Sequence, residues 1–369
     1  MKITVKQTDL GLALQKLQSV TPFKSPFPIY QNVLLNTVDH GLYCTATNGE
    51  IVTRILVDGK TEENGTITAN CKKLFGLIKD LDTEEVDLQT TSNNRLQVLS
   101  GKSKYSFGSI DASEFPKMPK ISDDEVDFII PAENLRDALI DTDFAASHEE
   151  VRYLLHGVSV KFYPDKIEFA GCDGRMFAVS TYQTKIDKKI PQIVIPLKSC
   201  DEIKKVFTAD EDIFVSVKND YLVFFTQSYQ FSSRKIELNE DGYPDYWKVI
   251  SFVNEKTVLA NKKELLRSIK RIKQFAPEDY YGINIKVNDT DNTLELTAGT
   301  LESEGLEVVG ISEKTAVIDF RINANFLLNV LKHLRCDDVM ISMSPNNLRI
   351  TLSCENNDTQ IYTIALLAK

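Results

Sequence analysis

The same run of elements returns three times along this chain, at a spacing of about 125 residues, a period that settles the architecture before any motif does. Each copy opens with a strand and an amphipathic helix: Lys2–Val5 before Leu10–Leu17, Phe128–Ile130 before Leu135–Thr142, and Thr257–Leu259 before Leu265–Ile272. Alternating strands follow and end in small-residue turns at Ala46–Gly49, Gly171–Gly174 and Ala298–Thr300. A second strand–helix unit comes next, with helices expected over Lys72–Leu81, Ser199–Phe207 and Ala324–Leu334, and a further pair of strands closes each copy. The copies differ widely in residues, so what persists is a pattern of burial.

Two acidic, proline-bearing connectors, Gly108–Pro119 and Glu240–Trp247, occupy matching places between copies. The expected domains are 1–125, 126–252 and 253–369. Each copy offers two helices and about eight short strands, which α+β packing accommodates with antiparallel sheet on one side and helices on the other. The strands are read from period-two stretches such as Tyr43–Ala46, Asp87–Thr90, Tyr221–Phe225 and Leu294–Thr297. Repeats joined with a constant rotation make either an open solenoid or a closed ring, and the period alone does not choose.

The formal charge of −10 argues at first against a nucleic-acid partner. Its distribution reverses that. Helical phase puts Lys263, Arg267, Lys270 and Arg271 on one face, opposite the apolar stripe Leu265, Leu266, Ile269 and Ile272. Lys72, Lys73 and Lys79 decorate the second helix of copy one; Lys198, Lys204 and Lys205 that of copy two; Lys332 and Arg335 that of copy three. Acidic residues gather instead in segments expected to be loops, such as Glu62–Glu63 and Asp123–Glu125. If the helices share one surface, an acidic protein carries a basic lining.

Reactive chemistry is missing. Gly101-Lys102-Ser103 has the tail of a phosphate-binding loop, but Leu96 stands where the leading glycine belongs. The four histidines are spread without metal-ligand spacing, and no metal or cofactor is expected. The six cysteines are scattered and read as free thiols, with Cys44 and Cys172 at matching strand ends and Cys71 and Cys200 at matching helix starts. With no apolar run long enough to span a bilayer, the expected compartment is a reducing cytoplasm.

Particular residues then point to a family. Ala146–Gly157, Cys172–Ala178 and Tyr243–Tyr246 closely resemble middle-domain landmarks of the bacterial DNA polymerase III beta subunits, the replicative sliding clamps. Pro28-Ile29 with Asn32, and Ser100–Ser106, resemble first-domain landmarks; Asn323–Leu331 with Cys336 resembles the third. The resemblance implies three DNA-clamp domains forming half of a pseudo-sixfold ring, closed by a head-to-tail homodimer around duplex DNA. It implies a noncatalytic processivity factor with no cofactor. Partners would be duplex DNA bound without sequence preference, and the polymerase, clamp loader and repair proteins, docked through short linear peptides. A protein-binding repeat scaffold that never encircles DNA is the competing reading.

On this resemblance, DNA-facing residues are Lys24, Arg152 and Tyr153, to which helix phase adds Lys198, Lys205, Lys263, Arg267 and Arg271. The implied peptide pocket comprises Leu155, Cys172, Gly174, Arg175, Met176, Phe177, Pro244, Lys248, Val249, Asn323, Phe326, Thr363, Ala365, Leu366 and Leu367. The family's Thr-Asp-Gly-His-Arg-Leu reads Cys172-Asp173-Gly174-Arg175-Met176-Phe177 here, and its Met-Pro-Met-Arg-Leu terminus reads Ala365-Leu366-Leu367-Ala368-Lys369. The subunit boundary would set Lys73 and Lys104 against Glu302, Glu304 and Glu307, with Ile272 and Phe275 as apolar partners.

Overall fold

The computed structural model describes residues 1–117, 125–207, 210–218, 220–240, 242–250, 256–355 and 357–368. Met118, Pro119, Asp123, Asp124, Asp241, the 252/253 domain boundary and Lys369 lie outside the described residues.

The first copy runs β1 (Lys2–Lys6), α1 (Gln7–Gln18), β2 (Asn32–Val38), β3 (Gly41–Thr47), β4 (Ile51–Glu63), β5 (Thr66–Asn70), α2 (Cys71–Lys79), β6 (Glu85–Thr90), β7 (Arg95–Ser100) and β8 (Ser103–Gly108). The second repeats that order as β9 (Phe128–Pro131), α3 (Ala132–Asp143), β10 (Gly157–Phe162), β11 (Lys166–Cys172), β12 (Met176–Gln183), β13 (Ile193–Pro196), α4 (Leu197–Val206), β14 (Asp212–Val217), β15 (Tyr221–Phe225) and β16 (Tyr229–Arg234). A short helix, α5 (Tyr246–Ile250), precedes the third. That copy runs β17 (Lys256–Asn261), α6 (Lys262–Ile272), β18 (Gly282–Asn288), β19 (Thr293–Gly299), β20 (Glu304–Lys314), β21 (Asp319–Asn323), α7 (Ala324–His333), β22 (Asp338–Met343), β23 (Arg349–Cys354) and β24 (Asn357–Ala365).

Several strands run straight into helices because their last residue is the cap. Asn70, Asn261 and Asn323 end β5, β17 and β21, and their side chains accept from backbone N–H groups in the first turns of α2, α6 and α7. Such caps contribute about 1 kcal/mol each. The buried stripes of α1 (Leu10, Ala13, Leu14, Leu17) and α6 (Leu265, Ser268, Ile269, Ile272) recur at helical spacing. α1 packs on α2, β3 and β4; α6 packs on α7, β19 and β20.

The chain forms two compact units, residues 1–136 with 198–235, and 137–197 with 236–369. Each holds one continuous antiparallel sheet that crosses from one copy to the next. In the first the order is β8-β7-β6-β1-β4-β16-β15-β14-β9, with β3 beside β4 and β2 joining β3 to β5. In the second it is β13-β10-β11-β12-β24-β23-β22-β17-β20-β19-β18-β21. The crossings are equivalent. The last strand of copy two, β16, pairs with β4 of copy one, Phe231 opposite Thr53. The last strand of copy three, β24, pairs with β12 of copy two, Tyr362 opposite Ala178. Both aromatic rings are fully buried.

Four expectations are revised. Leu222, Val223 and Phe224 are all buried, so β15 is covered on both faces rather than one. Glu62 and Glu63 belong to the end of β4, where Lys2 pairs with Glu62, and not to a loop. The cysteine correspondences fail by register: Cys44 is the fourth residue of β3, whereas Cys172 is the last of β11; Cys71 opens α2, whereas Cys200 is the fourth residue of α4. Cys336 and Cys354 are not separate thiols but a disulfide. They are 18 residues apart in sequence, but β22 and β23 form a hairpin that returns the chain to the loop leaving α7, with Cα atoms 5.8 Å apart. Cys44, Cys71, Cys172 and Cys200 lie outside the disulfide and are buried.

Candidate functional site

The basic face of α6 is assembled as its phase requires. Lys263, Arg267, Lys270 and Arg271 are exposed while the apolar stripe is buried. Two of the four are committed within the chain. Arg271 makes a two-pronged contact to Glu307, Nε to Oε1 at 2.7 Å and a terminal nitrogen to Oε2 at 2.5 Å. That hydrogen bond holds the Glu307 carboxyl below its ordinary value. Lys263 lies 3.8 Å from Asp337, both exposed, a pairing worth little in water. Arg267 and Lys270 have no ion pair among the described residues. In α4, Lys198 is exposed, while Lys205 meets Glu202 at 2.9 Å and Lys204 meets Asp201 at 3.1 Å. Arg335 is not a lining residue: it binds Asp137 and Asp141 of α3.

Lys24 is exposed in the loop after α1. Arg152 instead lies across the β11–β12 turn, donating to the Asp173 carbonyl and pairing with Glu149 at 3.4 Å. Gly174 makes that crossing feasible. Its φ is +87°, and a Cβ there would come within 2.5 Å of the Arg152 guanidinium. Tyr153, beside it, is 58% exposed.

The residues of the expected pocket come from across the sequence but are stitched together by backbone hydrogen bonds. Ala365 N–H donates to the Arg175 carbonyl at 2.8 Å, Leu366 to Leu348 at 2.9 Å and Leu367 to Arg321 at 2.9 Å. Arg349 reaches from β23 to the Val249 carbonyl at 3.2 Å. Leu155 and Phe177 pack on one apolar cluster, with Cys172, Tyr243, Tyr246 and Ile250, while Phe326 and Leu366 pack on the neighbouring one, with Met176. Gly174, Arg175, Pro244, Lys248 and Ala365 are exposed around them. Cys172, Met176 and Thr363 are almost wholly buried and can serve only as floor. Asn323 is occupied as the α7 cap.

The floor is braced by a buried carboxylate that sequence reading missed. Glu168 of β11 is fully buried, accepts from Tyr246 Oη at 2.8 Å and Trp247 Nε1 at 2.9 Å, and lies 2.7 Å from Lys166 Nζ. Burial pushes its pKa up, but those donors outweigh it and leave the carboxyl below its ordinary value. Tyr243 Oη adds a bond to the Ala170 carbonyl. The connector into α5 is thereby pinned to β11, which sets where Pro244, Lys248 and Val249 lie. A lone Glu in an apolar strand, opposite a Tyr–Trp pair, was the available signal.

Among the described residues, two strands lack the cross-copy partner that their counterparts have, β8 beside β16 and β24, and β20 beside β4 and β12. β8 is bonded only to β7, and its residues are exposed on both faces. β20 pairs with β19 from Glu304 to Gly310 but meets β17 only beyond, at Ile311–Lys314. Its first half therefore has a free side among the described residues. The expectation for Ile272 is revised: it is 1% exposed, turned into its own core by the α6 stripe. Phe275 is 36% exposed, and Leu306 and Val308, which sequence reading missed, are 61% and 55% exposed on β20.

Three copies of one βαββββαβββ unit, with sheets running from copy to copy, define a repeat protein of the clamp class. Family models for the N-terminal, central and C-terminal domains of the DNA polymerase III beta subunit match residues 1–119, 129–245 and 248–367. The chain is 28% identical to the beta sliding clamp of Vibrio cholerae over 99% of both chains, and 28% identical to that of Chlamydia pneumoniae over 93% of both. The fold is similar to the crystal structure of the Pseudomonas aeruginosa subunit, with TM-score 0.92, 23% identity and 100% of both chains covered. It is equally similar to the Bacillus subtilis sliding clamp, with TM-score 0.92, 20% identity and 100% and 99% covered. The chain belongs to the DNA polymerase III beta subunit family: it is a sliding clamp, a noncatalytic processivity factor for DNA replication. No helix among the described residues is long and apolar enough to cross a membrane.

Proposed function

We propose that this chain acts as a ring-forming homodimer around duplex DNA. The observation that carries the reading is the cross-copy pairing that β8 and the first half of β20 lack among the described residues. Each copy's last strand pairs with the fourth strand of the copy before it: β16 with β4, and β24 with β12. By the same rule β8 pairs with a β20, and among the described residues of one chain neither has that cross-copy partner. A second copy satisfies both at once. The register follows from the repeat. Tyr105 stands in β8 where Phe231 and Tyr362 stand in β16 and β24, each opposite a buried residue of its hairpin partner: Val98, Phe224 and Leu352. Gly305 stands in β20 where Thr53 and Ala178 stand in β4 and β12. Tyr105 of one copy therefore meets Gly305 of the other, and its 36% exposure vanishes as it has for its two counterparts. Lys73 and Lys104 then face Glu302, Glu304 and Glu307. Three domains (1–125, 126–252, 253–369) per chain give the ring its pseudo-sixfold form.

In that ring the helices line the hole, and Lys24, Tyr153, Lys198, Lys205, Lys263, Arg267 and Arg271 face DNA, while Arg152 stays committed to the β11–β12 turn. Phosphate attraction carries no sequence information, which suits a protein that slides. Arg267 and Lys198, with no ion pair among the described residues, contribute most; Arg271 keeps its charge but shares it with Glu307. The cytoplasm is the working compartment, where Cys336 and Cys354 meet a reducing pool. The test is topological. The protein, loaded on nicked circular DNA, should be retained through gel filtration and released on linearisation; equal retention on both would leave only a protein-binding scaffold.

The apolar cluster around Leu155, Cys172, Gly174, Arg175, Met176, Phe177, Pro244, Lys248, Val249, Asn323, Phe326, Thr363, Ala365, Leu366 and Leu367 receives the linear peptides of the polymerase, the clamp loader and repair proteins. Leu367→Asp should lower the affinity of a fluorescent polymerase-tail peptide at least tenfold, about the burial energy of one Leu side chain, while sedimentation still shows a dimer.

A further inference from the structure

The loop between α1 and β2, Thr21–Gln31, carries two large aromatics that the described residues leave mostly uncovered: Phe23 is 74% exposed and Phe27 60%. Their exposure is built in. Pro22, Pro26 and Pro28 fix three of the loop's φ angles. Gln31 Nε2 donates to the Phe23 carbonyl at 2.8 Å, Phe27 N–H donates to Ser25 Oγ at 3.0 Å, and Tyr30 N–H donates to the Phe27 carbonyl at 3.1 Å. Ile29 is buried and anchors the loop, while the Phe27 ring leans on Tyr30 at 5.6 Å between centroids. A backbone so well held could have turned either phenyl inward, yet both project into solvent.

Two lysines stand beside them. Lys72 of α2 sets its ammonium 4.5 Å from the centroid of the Phe23 ring, and Lys24 lies between the two aromatics in sequence. Neither lysine has an ion pair among the described residues, in a chain whose net charge is −10. Rigid exposed rings interleaved with unpaired cations are what unpaired nucleotides bind: bases stack on the rings while the cations meet the phosphates. Paired bases in a duplex offer no free face to stack.

We infer that Phe23 and Phe27, with Lys24 and Lys72, form a stacking site for a short stretch of single-stranded nucleic acid. The site rests on the clamp reading and adds to it, since a stacking contact distinguishes unpaired template from the duplex that the ring encircles. The test uses the full-length protein with a fluorescein-labelled oligo-dT and a blunt hairpin duplex, read by anisotropy. Phe23→Ala with Phe27→Ala should weaken oligo-dT binding on the order of tenfold and change duplex binding less than twofold. Lys24→Ala should weaken both and reduce the salt dependence of both. Phe23→Trp should keep the oligo-dT affinity and add a fluorescence signal that oligo-dT quenches. Unchanged oligo-dT affinity in the double variant, an equal loss on both DNAs, or an unquenched Trp would each overturn the site, the last two in favour of a protein-docking or purely structural loop. Retention on nicked circular DNA is scored in parallel: its survival in the parent protein confines any such failure to the stacking site.

Discussion

Cys172 lies in the floor of the proposed peptide cluster, 1% exposed, and burial moves its thiol from the ordinary 9.0 to about 11. A group whose folded pKa is raised favours the native state below its unfolded value and loses that contribution as pH climbs toward the folded one. Stability should therefore decline between about pH 9 and pH 11, with Cys172→Ala flattening the decline in urea titrations. The same burial makes the thiol inert at neutral pH, so iodoacetamide should label Cys172 only when the protein is unfolded. Individual residues were unevenly legible in the sequence. The apolar stripe of α6 follows from spacing alone, because a helix repeats its faces. Partnerships between distant residues do not: the Arg271–Glu307 pair spans 36 positions and the Arg335–Asp141 pair 194. Only the meeting of elements brings them together.

At the scale of elements, the connector into α5 hangs on Glu168. Removing that carboxylate leaves the Tyr246 hydroxyl and the Trp247 indole N–H without their acceptor in a buried setting, a loss of about 3 kcal/mol. Glu168→Ala should lower the urea midpoint accordingly. Because Trp247 is the sole tryptophan, its emission should shift to the red as the connector loosens. Peptide affinity should fall too, since Lys248 and Val249 lose their fixed position. Helix and strand order was readable because each copy obeys the same periodicity and its turns are marked by Gly, Asn and Asp. β15 was misjudged because a Tyr-Leu-Val-Phe-Phe run reads the same whether one face or two are covered. The site's bracing escaped notice because a buried Glu looks, in sequence, like a surface residue of an alternating strand.

For the whole molecule, the decisive feature is the cross-copy pairing that β8 and β20 lack within one chain's described residues. Reversing charge at one of the two leftover ends, Glu302→Lys with Glu304→Lys, sets lysines against Lys73 and Lys104 and should shift the protein toward monomer in sedimentation. Adding Lys73→Glu and Lys104→Glu should restore the dimer; a dimer unmoved by the first pair would refute the placement of that boundary. The threefold repeat was plain from burial periodicity, but the exchange of strands between copies was not. Nothing in a strand's composition says which neighbour it will bond, so β16 and β24 read as closing their own domains when each is hydrogen-bonded into the preceding copy's sheet.

That exchange has a directional consequence. An edge of one kind at the front and its complement at the back means successive copies can join only nose to tail, never mirrored. In a hoop made that way every copy presents the same side upward, so its two rims differ. In the proposed ring, that symmetry would set the docking clusters of both chains on the same rim, so a partner held there would face one way along the DNA.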